Sequence, residues 1–189
     1  MISAVVRSCF FQLRSLGRLG RLRPHLNKKT ASAVAVALIQ SRLDYCNSCL
    51  WGLPKNQLQR LQKVQNTAAR IVSRSKKSDH ITPVLKELHW LPVKERIDHK
   101  LLTLAYSCME GTAPAYLQEL IPKHVPSRGL RSASQSFLRV PSVQRHKKKS
   151  LGVRSFENAA PGLWNSLPQA LRECNSKDSF KRRLKTWLF

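Results

Sequence analysis

Cys46-Asn47-Ser48-Cys49 is the first place in the chain where residue type and spacing could do chemistry. Two thiolates at this spacing supply half of a tetrahedral zinc site, which needs four ligands. The other half would have to come from His80, His89 or an isolated cysteine, none of them at finger spacing. Thioredoxin-like redox work needs a strand-helix-strand setting that the surrounding sequence lacks. Read as part of a helix, the two cysteines are small core residues at i and i+3. Asp79-His80 has the composition of an acid–base pair, but it precedes Pro83, where Asp79 suits a cap for the coming helix. No nucleophile elbow, phosphate-cradling glycine loop or His-Glu-x-x-His occurs. In-line phosphoryl transfer with two metal ions needs clustered carboxylates. This chain has no Asp-Asp pair, and outside the central helices its acids stand singly. The expectation is a chain without an enzyme site, cofactor or metal.

Cations are the abundant chemical resource. The sequence carries 34 Lys and Arg against 10 Asp and Glu in 189 residues, a formal net charge of +24. Solubility asks for a net charge of roughly 2–8 on a small domain. Self-repulsion on this scale is relieved by a polyanion. Nucleic acid is the first candidate and an anionic membrane surface the second. Residues 1–43 hold 8 cations and no acid, and residues 123–154 hold 9 and no acid. Residues 83–122 are near neutral, with 4 cations against 5 acids. The candidate nucleic-acid-binding residues are Arg60, Lys63, Arg70 and Arg74, the run Lys147, Lys148 and Lys149, and Arg182 with Arg183. For any one of them the plainer account is a solvated surface cation.

Helices must position these side chains. Over 54–73, Leu58, Leu61, Val64, Ala68 and Ile71 form one stripe. Arg60, Lys63, Arg70 and Arg74 fall within about 80° of each other on another side, at 100° per residue. A second long helix runs over 92–109, with Val93, Ile97, Leu101, Leu104 and Cys108 on one face and Gly111 as its stop. His89-Trp90-Leu91-Pro92 reads as a buried anchor at its start. Ser3 to Leu19 is a basic amphipathic stretch with Val6, Phe10, Leu13 and Leu16 in phase. Thr30 to Leu43 is an Ala/Val-rich helix, and 83–88 and 114–121 are short helices. Residues 122–150 are broken by Pro122, Pro126, Gly129 and Pro141, with Phe137, Leu138 and Val140 as a short extended piece. Leu151, Val153, Phe156, Leu163, Trp164 and Leu167 are apolar anchors. The last helix has Ser176 as N-cap and Asp178 in its first turn, with Phe180, Leu184, Trp187 and Leu188 as its apolar face.

The fold class expected is mainly α: a bundle-like helical centre, an irregular basic Pro-containing segment and a C-terminal helix. The corresponding divisions are 1–53 (basic N-terminal helices), 54–121 (helical centre), 122–155 (basic linker) and 156–189 (anchor and last helix). Apolar residues make up 42% of the chain and recur at helical spacing, which argues against wholesale disorder. The longest apolar stretch, 31–39, is about half of the roughly 18–20 residues a membrane-spanning helix needs. Five scattered cysteines fit reduced thiols in the cytoplasm or nucleus. The Arg-rich, acid-free start also fits a mitochondrial presequence, which makes a mitochondrial RNA-binding protein the alternative.

Several segments resemble one family in order along the chain. Ser41-Arg-Leu-Asp-Tyr-Cys-Asn-Ser48, Leu53-Pro-Lys55, the run 59–70 and the run 79–97 resemble a part of the reverse transcriptases of non-LTR (LINE-type, jockey-like) retrotransposons. So do Gly111-Thr-Ala-Pro-Ala-Tyr-Leu117, the runs 130–134 and 156–168, and Ser179 to Phe189. In that family these segments follow the polymerase fingers and palm, as thumb-side helices and a C-terminal tail. The resemblance implies nucleic-acid binding within an RNA-templated DNA synthesis machine, with the upstream polymerase domain as a further partner. It implies no catalysis here, because the family's catalytic aspartates lie upstream of these segments. On this reading Met1 matches an internal position of a longer element.

Overall fold

A computed structural model of the chain describes residues 2–18, 27–124, 136–141 and 154–189. Over these residues the protein is mainly helical, and it divides into two compact units. Unit 1 comprises 1–47 and 53–96, and unit 2 comprises 48–52 and 97–189. Pro126, Gly129, Leu151 and Val153 lie outside the described residues.

Unit 1 is built around a central helix. The elements are α1 (Ile2–Arg18), α2 (Lys28–Ala35), α3 (Ser41–Asp44), α4 (Lys55–Ser73), α5 (Ile81–Glu87) and the start of α6 (Val93–Met109). Helices α1, α2 and α5 all pack on α4. The buried face of α1 is Val6, Cys9 and Leu13, and Phe10, placed by periodicity on the apolar stripe, is 39% exposed. Cys9 and Phe10 both lie one turn from Val6 and from Leu13, so the period does not choose between them, and the packing in unit 1 turns Cys9 inward.

Asn27 caps α2 by accepting a hydrogen bond from Thr30 N at 2.7 Å. Along 28–44 the buried apolar residues are Ala31 and Ala35 of α2, then Ile39 and Leu43 beyond it, always four apart. On a helix of 3.6 residues per turn that spacing drifts by about 40° per step. A π-helical segment, Val36–Gln40, joins α2 to α3, and its wider turn takes up the drift.

Helix α4 starts after Pro54 and ends at Arg74, whose φ is +59°. Its deepest residues are Leu61, Val64, Gln65, Ala68, Ala69 and Val72, with Leu58 and Ile71 only half-buried. The inward face is therefore rotated from the purely apolar stripe, and it takes in a glutamine. Gln65 Nε2 donates to the Leu91 carbonyl at 2.8 Å, and Gln62 Oε1 accepts from Val93 N at 2.8 Å. These amides fix the Trp90–Val93 segment and satisfy a first-turn N–H of α6. Trp90 and Leu91 are buried there, whereas His89 is exposed. Helix α5 ends in a Schellman motif: Trp90 N donates to Leu85 O at 2.8 Å and His89 N to Lys86 O at 2.9 Å. His89 occupies the left-handed position at φ +55°.

Asp79 does not cap α5. The helix begins at Ile81 after His80 with no side-chain cap, and Asp79 Oδ2 instead accepts from Lys76 N at 2.7 Å, closing the preceding turn.

Unit 2 contains the rest of α6, α7 (Ala115–Leu120), α8 (Phe156–Asn165), α9 (Gln169–Arg172) and α10 (Lys177–Leu188). Gly111, at φ +69°, ends α6 in a second Schellman motif, with Thr112 N on Ser107 O at 2.9 Å. The core centres on three aromatic rings. Tyr106 stacks on Phe180 with centroids 4.5 Å apart, and Trp164 tilts against Phe180 at 5.8 Å. Both polar handles are satisfied: Tyr106 Oη donates to Cys174 O at 2.7 Å and Trp164 Nε1 to Ser136 O at 2.7 Å. Residues 137–140 form no strand. One antiparallel bridge joins Lys123 to Leu138, and the Asn165 amide takes the other edge, bonding Leu138 N at 2.9 Å and Leu138 O at 2.8 Å. Pro161 lies inside α8 and is buried. Ser176 caps α10, accepting from Ser179 N at 3.3 Å.

Candidate nucleic-acid interface

The cations of α4 fall into two groups. Arg60 and Lys63 are exposed on the helix body, and Arg60 donates to the Ser3 hydroxyl of α1 at 3.3 and 3.4 Å. Arg70 is half-buried and holds the turn after α4: its Nε donates to Lys76 O at 3.3 Å and its Nη2 to Asp79 O at 3.1 Å. Arg74 is exposed beyond the helix, in the left-handed region. The stripe expected from periodicity is thus one exposed pair plus a structural arginine at its end. Lys76 and Lys77 are exposed beside it.

Arg182 and Arg183 are exposed on α10 of unit 2, where Asp178 pairs with Lys181 at 3.7 Å. Lys147, Lys148 and Lys149 lie outside the described residues.

Other cations are already committed. Arg96 grips Asp44 with both Nε and Nη2, the Nε contact at 2.8 Å, in the bidentate geometry that suits a guanidinium. Lys28 pairs with Glu87. Arg172 lies 4.2 Å over the Phe137 ring and donates its Nε to Leu167 O at 3.2 Å.

The CxxC is not a core feature. Cys46 has φ +50° and Cys49 sits in a 3-10 turn, Asn47–Leu50; both thiols are exposed. The helical spacing misled because the helix ends at Asp44. Among the described residues no group of three or more His, Cys, Asp or Glu side chains is placed to hold a metal ion. Cys9 and Cys108 are buried, and burial pushes both thiols above their ordinary value, with Arg42 partly opposing it at Cys9. Among the described residues no helix is long and apolar enough to cross a membrane.

Sequence reasoning missed the concavity at the end of α4, lined by Thr67, Arg70, Ile71, Ser75 and Lys77. Its only sequence signal was the Arg74-Ser-Lys-Lys77 run, which composition alone reads as a solvated loop. No protein-family model, curated protein or solved structure matches the chain.

Proposed function

We propose that the chain is a catalytically empty, nucleic-acid-binding piece of a non-LTR retrotransposon reverse transcriptase, equivalent to the helices and tail that follow the palm. The observation that carries the binding half is the charge: +24, with Arg60, Lys63, Arg182 and Arg183 exposed on helix faces. The family half rests on the ordered sequence resemblance, from Ser41 to Phe189. The partners are RNA or DNA and, in an intact element, the upstream polymerase domain. The place of action is the nucleus or cytoplasm.

The alternative, a mitochondrial RNA-binding protein with a cleavable presequence, is weaker. Val6, Cys9 and Leu13 of α1 are buried, so removing α1 would strip one wall from the core of unit 1.

The test is fluorescence anisotropy with labelled single-stranded RNA and DNA over a salt series. Binding of both, with a log–log salt slope of about −0.7 per phosphate contacted, is expected. Absence of binding at low salt would sink the proposal. A template–primer extension assay with magnesium should give no incorporation above background.

A further inference from the structure

The cleft at the end of α4 is open and has a volume of about 460 Å³. That is within the range of small-ligand pockets, roughly 300–1,000 Å³. Among the described residues its lining joins two cations, Arg70 and Lys77, to two hydroxyls and one apolar side chain, Ile71, with no carboxylate.

The hydroxyls are already hydrogen-bonded. Thr67 Oγ1 donates to Lys63 O at 2.8 Å, and Ser73 Oγ donates to Ala69 O at 2.9 Å. Ser75 Oγ lies 2.6 Å from Ser73 Oγ and shares a hydrogen bond with it. The guanidinium and the ammonium are therefore the groups left to meet a ligand, and both select an anion.

Arg70 is ready for one. Its two bonds to the Lys76 and Asp79 carbonyls fix the plane of the fork before any ligand arrives. A pre-set side chain spares the binding step its ordering cost. Among the described residues no carboxylate forms an ion pair with Arg70 or Lys77. Asp79, the nearest acid in sequence, spends Oδ2 on the Lys76 N–H. The C-terminal end of a helix carries about −0.5 of a charge, which opposes an anion. Arg70, Arg74, Lys76 and Lys77 outweigh it.

The cleft is also the end of a row. Lys63 and Arg60 precede Arg70 by about 10 and 15 Å along the helix axis, at 1.5 Å per residue. Spaced cations ending in a cleft suit a repeating polyanion better than an isolated ion.

We propose that this cleft seats one phosphodiester of a nucleic-acid strand, with Arg70 and Lys77 on the phosphate oxygens and Ile71 against the sugar. The assignment rests on the nucleic-acid-binding reading above.

The test compares Lys77→Glu with Lys86→Glu in the full chain. Lys86 is exposed on α5 of the same unit and does not line the cleft, so both variants make the same charge change. Circular dichroism and thermal melts confirm that each is folded. A fluorescein-labelled oligouridylate is titrated into each over a salt series. The seat predicts that Lys77→Glu weakens binding roughly three- to tenfold and flattens the salt slope by about 0.7, while Lys86→Glu leaves the slope unchanged. If the two variants lose equally, the effect is the diffuse field of the protein; the seat is overturned and the nucleic-acid reading stands. If the parent chain itself does not bind, the reading fails and the seat with it.

Discussion

Gln65 and Gln40 are both amides sealed in the core of unit 1, and they should respond to replacement with opposite signs. Gln65 is 0% exposed and bonds the Leu91 carbonyl. Gln65→Leu leaves that acceptor unpaired, at a cost of about 1–3 kcal/mol. Gln40 is 2% exposed in the π segment, and among the described residues neither its Nε2 nor its Oε1 has a hydrogen-bond partner. Gln40→Met removes two unpaired polar atoms at similar volume and should stabilise by about 1–3 kcal/mol. Urea denaturation measures both; a destabilised Gln40→Met would show that the amide has a partner in solution. Neither role was legible beforehand. In sequence, glutamines on an amphipathic helix read as surface, and only the tertiary position of Leu91 and Val93 turns Gln62 and Gln65 inward.

Tyr106 gives the corresponding test in unit 2. Burial raises its phenol above the ordinary value, with smaller contributions from Glu110 and Cys174. The unfolded chain ionises first, at about pH 10. Stability is therefore complete below that pH and falls as pH rises towards the folded-state value. Tyr106→Phe loses the bond to the Cys174 carbonyl and should be less stable than the parent at pH 7, by about 1–2 kcal/mol. Above about pH 10 the gap should narrow, because only the parent has this phenol to ionise. Paired urea curves at neutral and alkaline pH read it out. A gap independent of pH would show that Tyr106 titrates normally.

At the scale of elements, the ends of helices separate what was legible from what was not. Prolines at 54, 92 and 114 mark starts because the missing N–H costs nothing there, and Gly111 marks a stop because glycine accepts a positive φ. Ser176 capped the last helix as its type requires. The misses have the same physical origin reversed. Pro161 lies buried inside α8 even though proline lacks the N–H that a helix interior uses. The π segment leaves no composition signal at all, only a four-residue spacing of buried apolar residues. His89 does the work of a glycine. A left-handed conformation costs an L-residue roughly 1–2 kcal/mol, and glycine gives back part of that through its freer unfolded state. His89→Gly should therefore stabilise unit 1 by about 0.5–1 kcal/mol, since the exposed imidazole surrenders little packing. A thermal midpoint that falls on this change would mean that His89 makes a contact worth more than its backbone strain.

For the whole molecule, the nucleic-acid-binding proposal requires the same charge to act on folding and on binding with opposite salt dependence. Net charge of +24 repels itself within each compact unit, and Lys28–Glu87 and Arg96–Asp44 relieve only part of it. Raising salt from 0.01 to 0.1 M shortens the screening length from about 30 to 10 Å. That distance is smaller than a domain, so like charges on separate faces stop sensing one another. Folding should then become more favourable, each kcal/mol of relieved repulsion raising the thermal midpoint by about 2–4 °C. Nucleic-acid affinity should fall over the same range, because counterions compete for the phosphates. A polyanion such as heparin at low salt should raise the midpoint as added salt does, since it neutralises the folded surface directly. Differential scanning fluorimetry at a series of sodium chloride concentrations, with and without heparin, gives the folding limb. A midpoint that falls steadily with salt would show that the chain's cations are balanced by contacts that salt weakens. The exposed cations of α4 and α10 would then be local partners in the fold and no longer a reserve for binding.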